Sequence, residues 1–204
     1  MKKKNQLFRL RVLLIGFASA SILLTLSLQS CNNTKQNSTT QDNTKEVAEE
    51  QNDAKFANEK ENDAEFLVSA AEINLVEIEL GQLAQTRSTT VEVKELGKMM
   101  ETDHSKASSD LKSLAETKQI SIPTTLTDAG MSAKKDLMDA DAKDFDKKYV
   151  DKMVSDHKDA ISKFEDASTD ANDVDIRNWA ASMVPVLRQH LDEFIVLQNK
   201  YEKR

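Results

Sequence analysis

Apolar residues recur at helical spacing in four long stretches of this chain. When positions are advanced by 100° per residue, apolar side chains share one face over residues 63–86, 90–118, 143–168 and 174–202. No stretch alternates apolar and polar residues as a strand would, and the 204 residues include only 4 glycines and 2 prolines. The pattern predicts an all-α fold, a four-helix bundle in which two helical hairpins are joined by a long connection.

Two features predict how the four helices are assembled. The connection spans residues 119–142, with a short helix near 132–138, and such a long segment is uncommon unless it crosses the bundle or covers one end. Gly81 and Gly97 each lie at the edge of a predicted buried face. Because a glycine inside a helix costs about 1 kcal/mol relative to alanine, we expect the backbones of the first two helices to approach closely at these positions.

Each predicted helix carries one ionisable residue on its apolar face. These residues are Glu77, His104, His157 and His190, and they include all 3 histidines of the chain. Counted from the predicted turns, the two members of each hairpin lie within about five residues of the same level, which is roughly 7 Å along a helix. A buried imidazole needs a hydrogen-bond partner or a metal ion. The sequence therefore predicts a polar cluster in the core.

One interpretation of this cluster is a transition-metal site with three imidazole nitrogens and one carboxylate as ligands. Side chains from facing helices hold metals in bundle cores, and this ligand set suits Zn, Fe, Cu or Mn. Asp103 and Asp156 precede two of the histidines, and we expect each to hydrogen-bond a ligating imidazole of a neighbouring helix. The alternative is a metal-free polar core, in which Glu77 and the histidines hydrogen-bond to one another and fix the helix register.

Glu101 adds another carboxylate near the predicted site. Glu101-x-x-His104 matches the Glu-x-x-His element of di-iron bundles, which need that element twice. Val154 and Leu187 stand three residues before the other two histidines, so Glu101 is expected to support the ligands rather than to complete a di-iron site. The sequence has no glycine-rich nucleotide loop and no recognised nucleophile motif. An enzyme, such as a metal-dependent oxidase, is therefore only the third interpretation, after a binding protein and a structural module.

The first 30 residues have the pattern of a bacterial lipoprotein signal peptide. Five basic residues precede an apolar run over residues 12–28, and the single cysteine, Cys31, follows that run. We predict cleavage before Cys31 and lipid attachment to its thiol, and the alternative is an uncleaved transmembrane anchor. Residues 31–62 are then a lipidated cysteine with a flexible polar tether, and residues 63–202 are the bundle domain.

Charge limits the partners of the mature chain. Residues 1–30 carry five positive and no negative charges, so their removal changes the net charge from −7 to −12. A chain this acidic is not expected to bind nucleic acid or anionic lipid headgroups. We expect the membrane to be contacted through Cys31 alone, and an envelope protein is the remaining class of partner.

Six segments of the chain carry a family resemblance, and they are residues 71–84 (AEINLVEIELGQLA), 99–104 (MMETDH), 120–123 (ISIP), 145–149 (FDKKY), 153–157 (MVSDH) and 184–191 (VPVLRQHL). Together they resemble a bacterial family catalogued as domain of unknown function 4142. The resemblance implies a ferritin-like four-helix bundle that is exported, often lipid-anchored, and without an established activity. The polar signature positions of the family fall here on Glu77, Asp103, His104, His157 and His190.

The expected protein is thus an envelope lipoprotein, anchored in the outer membrane and facing the periplasm, whose core binds a transition metal or a small ligand. The alternative is a non-catalytic structural or protein-interaction module of the envelope with a hydrogen-bonded polar core. The two differ in geometry. A metal site requires its side chains to converge within about 5 Å of one point, whereas a structural core pairs them with separate partners.

Overall fold

Six α-helices make up the part of the chain that the computed structural model describes, residues 44–56 and 59–203. These residues contain no strand, so the predicted all-α fold is confirmed. None of the described helices is both long enough and apolar enough to cross a membrane. The predicted signal peptide, Cys31 and the tether up to residue 43 lie outside the described residues. The helices are α1 (Lys45–Asp53), α2 (Glu59–Arg87), α3 (Val91–Lys118), α4 (Asp128–Met138), α5 (Ala142–Asp170) and α6 (Val174–Glu202).

The four long helices form the bundle in two antiparallel pairs. Turns of three residues join α2 to α3 and α5 to α6. Between the pairs, α2 packs against α5 and α3 packs against α6. The crossover that contains α4 brings the chain back along the bundle, so α3 and α5 run in the same direction. We call the end with the α5–α6 turn the upper end, and the end with the α2–α3 turn the lower end.

The crossover is held along the side of α2. Its helix α4 begins four residues earlier than the sequence predicted, because the Thr127 side chain accepts a hydrogen bond from the Gly130 N–H at 3.1 Å and caps the helix. Lys134 Nζ lies 2.6 Å from Glu79 of α2, and the Thr127 hydroxyl donates to Glu72 of α2 at 2.7 Å. The connection therefore crosses the bundle lengthwise, which is one of its two predicted roles.

The glycines of the first hairpin lie at a backbone contact between α2 and α3. A Cβ added at Gly81 would lie 2.6 Å from the carbonyl oxygen of Gly97, and a Cβ added at Gly97 would lie 2.7 Å from the carbonyl oxygen of Gly81. Both distances are shorter than any van der Waals contact, so alanine could not be accommodated at either position without movement of the backbone. The predicted close approach is confirmed.

The structure differs from expectation in the segment before the bundle. The sequence predicts a tether over residues 31–62 that is compatible with a partial helix outside the core from residue 46, and here α1 forms and packs against α2. Ala48 is only 2% exposed, and the Asn52 amide makes two hydrogen bonds to the backbone of Ser121, at 2.9 and 2.8 Å. The buried residues of α1 are one alanine and one asparagine, so this helix adds little apolar surface to the core.

The core has two apolar halves separated by a polar layer. The upper half consists mainly of leucine, alanine and isoleucine around Phe164, and the lower half is richer in methionine and aromatic residues. The polar layer lies between them, where each of the four long helices contributes at least one buried polar side chain. Its members are Asn74, Glu77, His104, His157 and His190.

Candidate metal centre

The imidazole rings of His104, His157 and His190 meet inside the bundle. They come from α3, α5 and α6, and each residue is only 1% exposed. The ring centroids are 5.4 to 5.9 Å apart, and one nitrogen of each ring lies within 4.8 Å of the other two. Each histidine sits on the apolar face of its helix, so burial of those faces brings the three rings together.

One nitrogen of each ring contacts an oxygen at the outside of the cluster. His104 Nδ1 lies 2.8 Å from Asn74 Oδ1, and His157 Nδ1 lies 2.9 Å from the carbonyl oxygen of Met153. His190 Nε2 lies 3.0 Å from Asp103 Oδ2. Carbonyl, amide and carboxylate oxygens only accept hydrogen bonds, so each of these ring nitrogens is the donor. A neutral ring has one N–H, and all three rings therefore carry it on the outer nitrogen.

The remaining nitrogens are acceptors that face one another. His157 Nε2 lies 3.4 Å from His190 Nδ1, and His104 Nε2 is buried without a hydrogen-bond partner. With the outer nitrogens protonated, no hydrogen atom lies between the facing nitrogens of His157 and His190. Two nitrogens bound to one tetrahedral zinc ion are about 3.3 Å apart, since each Zn–N bond is about 2.0–2.1 Å. The observed separation of 3.4 Å is close to this value.

Burial keeps the three rings neutral. It lowers the pKa of His157 to about 4, and it lowers the pKa of His104 well below its ordinary value, with further lowering by the two neighbouring rings. Burial also lowers the pKa of His190, although the bond to Asp103 offsets part of that effect. Neutral imidazole is the form that binds a metal ion, so at neutral pH the cluster is in the binding form.

Glu77 lies beside the cluster rather than in it. Its Oε1 is 3.8 Å from His157 Nδ1, the outer nitrogen of that ring, and its Oε2 is buried without a partner. Burial, followed by the nearby charge of Asp156, raises the pKa of Glu77 to about 8. The structure thus does not bring the fourth predicted ligand to the inner nitrogens. On α2, the residue that contacts a ring within hydrogen-bond distance is Asn74, three positions before Glu77.

Asn74 was not among the residues predicted from the sequence. It is 1% exposed and lies on the same face of α2 as Glu77, because residues three apart in a helix are neighbours. An asparagine between Ile73 and Leu75 in an apolar stretch was a signal that could have identified it. The Met153 carbonyl oxygen, by contrast, carries no sequence signal at all.

The three predicted supporting carboxylates have different surroundings. Asp103 of α3 contacts His190 of α6, on a neighbouring helix. Asp156 does not contact a ring and instead pairs with Lys152 at 2.9 Å, one turn earlier in α5. Glu101 faces α2 and not the core, and its carboxylate accepts hydrogen bonds from Gln82, Gln85 and Lys98. A carboxylate's place in the sequence, whether next to a histidine or three residues before one, therefore did not determine whether it contacts the cluster.

The fold and this site define an all-α bundle with a buried three-histidine cluster. The family described as domain of unknown function, DUF4142, matches residues 39–197, and the chain belongs to this family. Neither a search of curated proteins nor a search of solved structures finds a match.

Proposed function

We propose that the bundle binds one transition-metal ion at the inner nitrogens of His104, His157 and His190. The observation that carries this proposal is the set of three oxygen acceptors around the rings. Asn74, the Met153 carbonyl and Asp103 each occupy one ring N–H. The lone pairs of the other three nitrogens are left directed at one region of the core.

A metal-free hydrogen-bonded core accounts poorly for this arrangement. In such a core each buried acceptor should face a donor, because an unsatisfied buried polar atom costs about 1–3 kcal/mol. Here His104 Nε2 has no partner, and His157 Nε2 faces another acceptor at 3.4 Å. A bound cation would satisfy all three nitrogens at once.

The distances between the three ligand nitrogens fit a metal ion after a small movement of the rings toward one another. The three ligand nitrogens lie within 4.8 Å of one another, and ligands of one tetrahedral ion are about 3.3 Å apart. The closest pair already has about this separation, so the third ring needs a movement of at most about 1.5 Å. Imidazole ligands suit zinc, copper, iron and nickel, and a site with three protein ligands leaves a further position for water or a small ligand.

The cellular setting that we propose is the bacterial envelope. It rests on the sequence alone, through the basic and apolar leader and the single Cys31. In this proposal a lipid on Cys31 anchors the chain in the outer membrane, and the acidic bundle faces the periplasm. A ferritin-like relationship of the bundle belongs to the same proposal.

Stoichiometric metal binding tests the proposed site. The full-length chain is purified in detergent without an affinity tag, stripped with chelator, and reconstituted separately with Zn²⁺, Cu⁺, Fe²⁺ and Mn²⁺ before elemental analysis. We expect one equivalent of at least one ion in the wild-type chain and none when His190 is replaced by leucine. Met153→Leu is the matched control, since it changes a buried side chain next to the rings but keeps the carbonyl oxygen. Equal metal content in wild type and His190→Leu would refute the site.

A further inference from the structure

The three rings differ in how far their outer partners lie from solvent. Asn74 is 1% exposed, and the backbone oxygen that holds His157 belongs to Met153, which is fully buried. The side chain of Asp103 is 43% exposed, while that of His190, which it contacts, is only 2% exposed. Among the described residues that contact the outer nitrogens, Asp103 alone has a side chain that contacts a ring and is also substantially exposed to solvent.

The helix packing also distinguishes the side of the bundle on which Asp103 lies. Between α2 and α3 the backbones touch at Gly81 and Gly97, which leaves no space for an ion. The short helices α1 and α4 both pack against α2, and α4 also packs against α5. The Asp103–His190 contact lies between α3 and α6, and a groove of about 460 Å³ runs along these two helices beside it.

That groove leads from solvent toward Asp103. Met99, four residues before Asp103, and Glu193, three residues after His190, are both in its lining. Residues at these spacings are neighbours on a helix surface. Glu92 and Glu95 extend the same lining toward the lower end, where Lys200 also lines the groove and lies 3.8 Å from Glu92. With three glutamates against one lysine, the charged residues of the lining carry a net negative charge, which attracts cations toward this side of the bundle.

We propose that Asp103 is the uptake residue of the metal centre, the group that receives a divalent cation from water and passes it to His190. This inference rests on the proposed metal-binding function. The carboxylate replaces a water ligand of the hydrated ion at the surface. His190 keeps its Nε2–H on Asp103 and offers its inner nitrogen, Nδ1, as the first imidazole ligand that the ion reaches. The inner nitrogens of His104 and His157 then replace the remaining waters. No electron transfer is involved, and the exchanged waters return to solvent.

The chain contains a matched control for this role. Asp156 occupies the same place in a second Met-x-x-Asp-His segment, immediately before His157. Its carboxylate is paired with Lys152 and contacts no ring. An effect that arises from any acidic residue next to a histidine should appear at both positions. An effect that arises from the path into the core should appear only at Asp103.

Stopped-flow mixing of the metal-free full-length chain in detergent with Co²⁺ tests the proposal, with the visible absorption of tetrahedral Co²⁺ as the signal. Asp103→Asn keeps an oxygen that accepts the His190 N–H but removes the charge. We expect its association rate constant to fall about tenfold or more, the scale of electrostatic attraction into a charged cleft, without faster dissociation. Asp103→Glu should restore most of the association rate. Asp156→Asn should bind as fast as wild type.

Three results would overturn the proposal in distinguishable ways. An unchanged association rate with faster dissociation in Asp103→Asn would mean that Asp103 only positions His190. An equal slowing in Asp156→Asn would mean that the general surface charge, rather than a path at Asp103, sets the rate. A wild-type chain that gives no Co²⁺ signal and binds no metal would refute the proposed function itself. Added salt supplies a further readout, because it should slow association in wild type more than in Asp103→Asn.

Discussion

Two buried polar sites of this bundle differ in whether the protein itself satisfies them. At the upper end, Asp63 of α2 is 3% exposed, and its two carboxylate oxygens accept the backbone N–H groups of Asn172 and Asp173 at 2.7 and 2.9 Å. In the middle of the bundle, the inner nitrogens of the three histidines face one another, and Glu77 Oε2 has no partner. Asp63 thus completes a structural contact, whereas the histidine layer is left incomplete.

The difference matters because burial has opposite consequences in the two places. A buried polar group with good hydrogen bonds contributes to stability, and one without them lowers it. The two hydrogen bonds of the Asp63 carboxylate connect the start of α2 to the turn between α5 and α6. The histidine layer contributes little of this kind without a ligand, so its arrangement is better explained by binding. The following predictions test that distinction.

Replacement of Asp63 by alanine should have the largest effect. It removes two hydrogen bonds to a carboxylate and leaves two backbone N–H groups without their partner, so we expect the free energy of unfolding to fall by about 4 kcal/mol. Urea unfolding followed by circular dichroism measures this change. The loss should be the same with and without metal, because Asp63 lies at the upper end, away from the cluster. A loss below about 1 kcal/mol would show that this site is not the structural one of the two.

Replacement of His157 by leucine should have a different effect. Leucine is apolar and of similar size, and the Met153 carbonyl is already a backbone acceptor within α5, so the metal-free variant should differ from wild type by about 1 kcal/mol or less. Metal at about 100 times its dissociation constant should stabilise wild type by about 2.7 kcal/mol, and it should not stabilise the variant. Parallel urea titrations with and without Zn²⁺ measure both quantities.

The control for this prediction is Met153→Leu, which should retain the stabilisation by Zn²⁺. If His157→Leu unfolded in the metal-free state as easily as Asp63→Ala, the ring would be a structural element. The distinction between the two polar sites would then fail.

Glu77 makes the metal-free histidine layer sensitive to alkaline pH. Because burial raises the pKa of Glu77 to about 8 from its ordinary value of about 4.5, the folded chain holds a proton that the unfolded chain releases above about pH 4.5. Its contribution to stability is complete below that pH and is lost as the pH rises through 8. Between about pH 6.5 and 8 we expect wild type to lose about 2 kcal/mol, and Glu77→Gln to lose little. Unfolding of the metal-free chain at several pH values measures this difference.

The histidines act in the opposite direction and provide an internal control. Since burial lowers the pKa of His157 to about 4, the unfolded chain gains a proton below about pH 6.5 that the folded chain does not. Stability should therefore fall as the pH decreases from about 6.5 toward 4. This acid loss should persist in Glu77→Gln. Loss of the alkaline dependence alone would place its origin at Glu77, and an unchanged alkaline dependence would contradict the assignment.

Periodicity was sufficient to predict the four long helices and the burial of all three histidines, since both depend only on angular position around a helix. The Gly81–Gly97 contact was predictable for the same reason, from two glycines on facing edges. The orientation of individual side chains was not predictable. Glu77 lies on the correct face of α2, yet its carboxyl lies against the outer nitrogen of His157, because which ring atom a neighbour meets depends on helix level and rotamer rather than on spacing.

The repeated Met-x-x-Asp-His segments show the same limit most clearly. Around Asp103 and Asp156 the local sequence is nearly the same, but only α3 places its aspartate against a ring of a neighbouring helix. In α5 the side chain of Asp156 meets Lys152 of its own helix instead. One difference is visible in the sequence, because Lys152 stands four residues before Asp156 and Met99 stands four residues before Asp103. The contact of Asp103 with a ring of α6, however, depends on tertiary packing.

Removal of the Asp156 charge should therefore have the smallest effect on stability. The Lys152–Asp156 pair is a partly exposed pair four residues apart in α5, and such pairs contribute about 0.5 kcal/mol. We expect Asp156→Asn to change the free energy of unfolding by about that amount or less, as measured by urea unfolding of the metal-free chain. Asp103→Ala should lower it by about 1–2 kcal/mol, because the buried Nε2–H of His190 loses its acceptor. Equal effects of the two substitutions would mean that the Asp103–His190 hydrogen bond does not contribute to the free energy of unfolding. This bond would then not be what holds the His190 proton on the outer nitrogen.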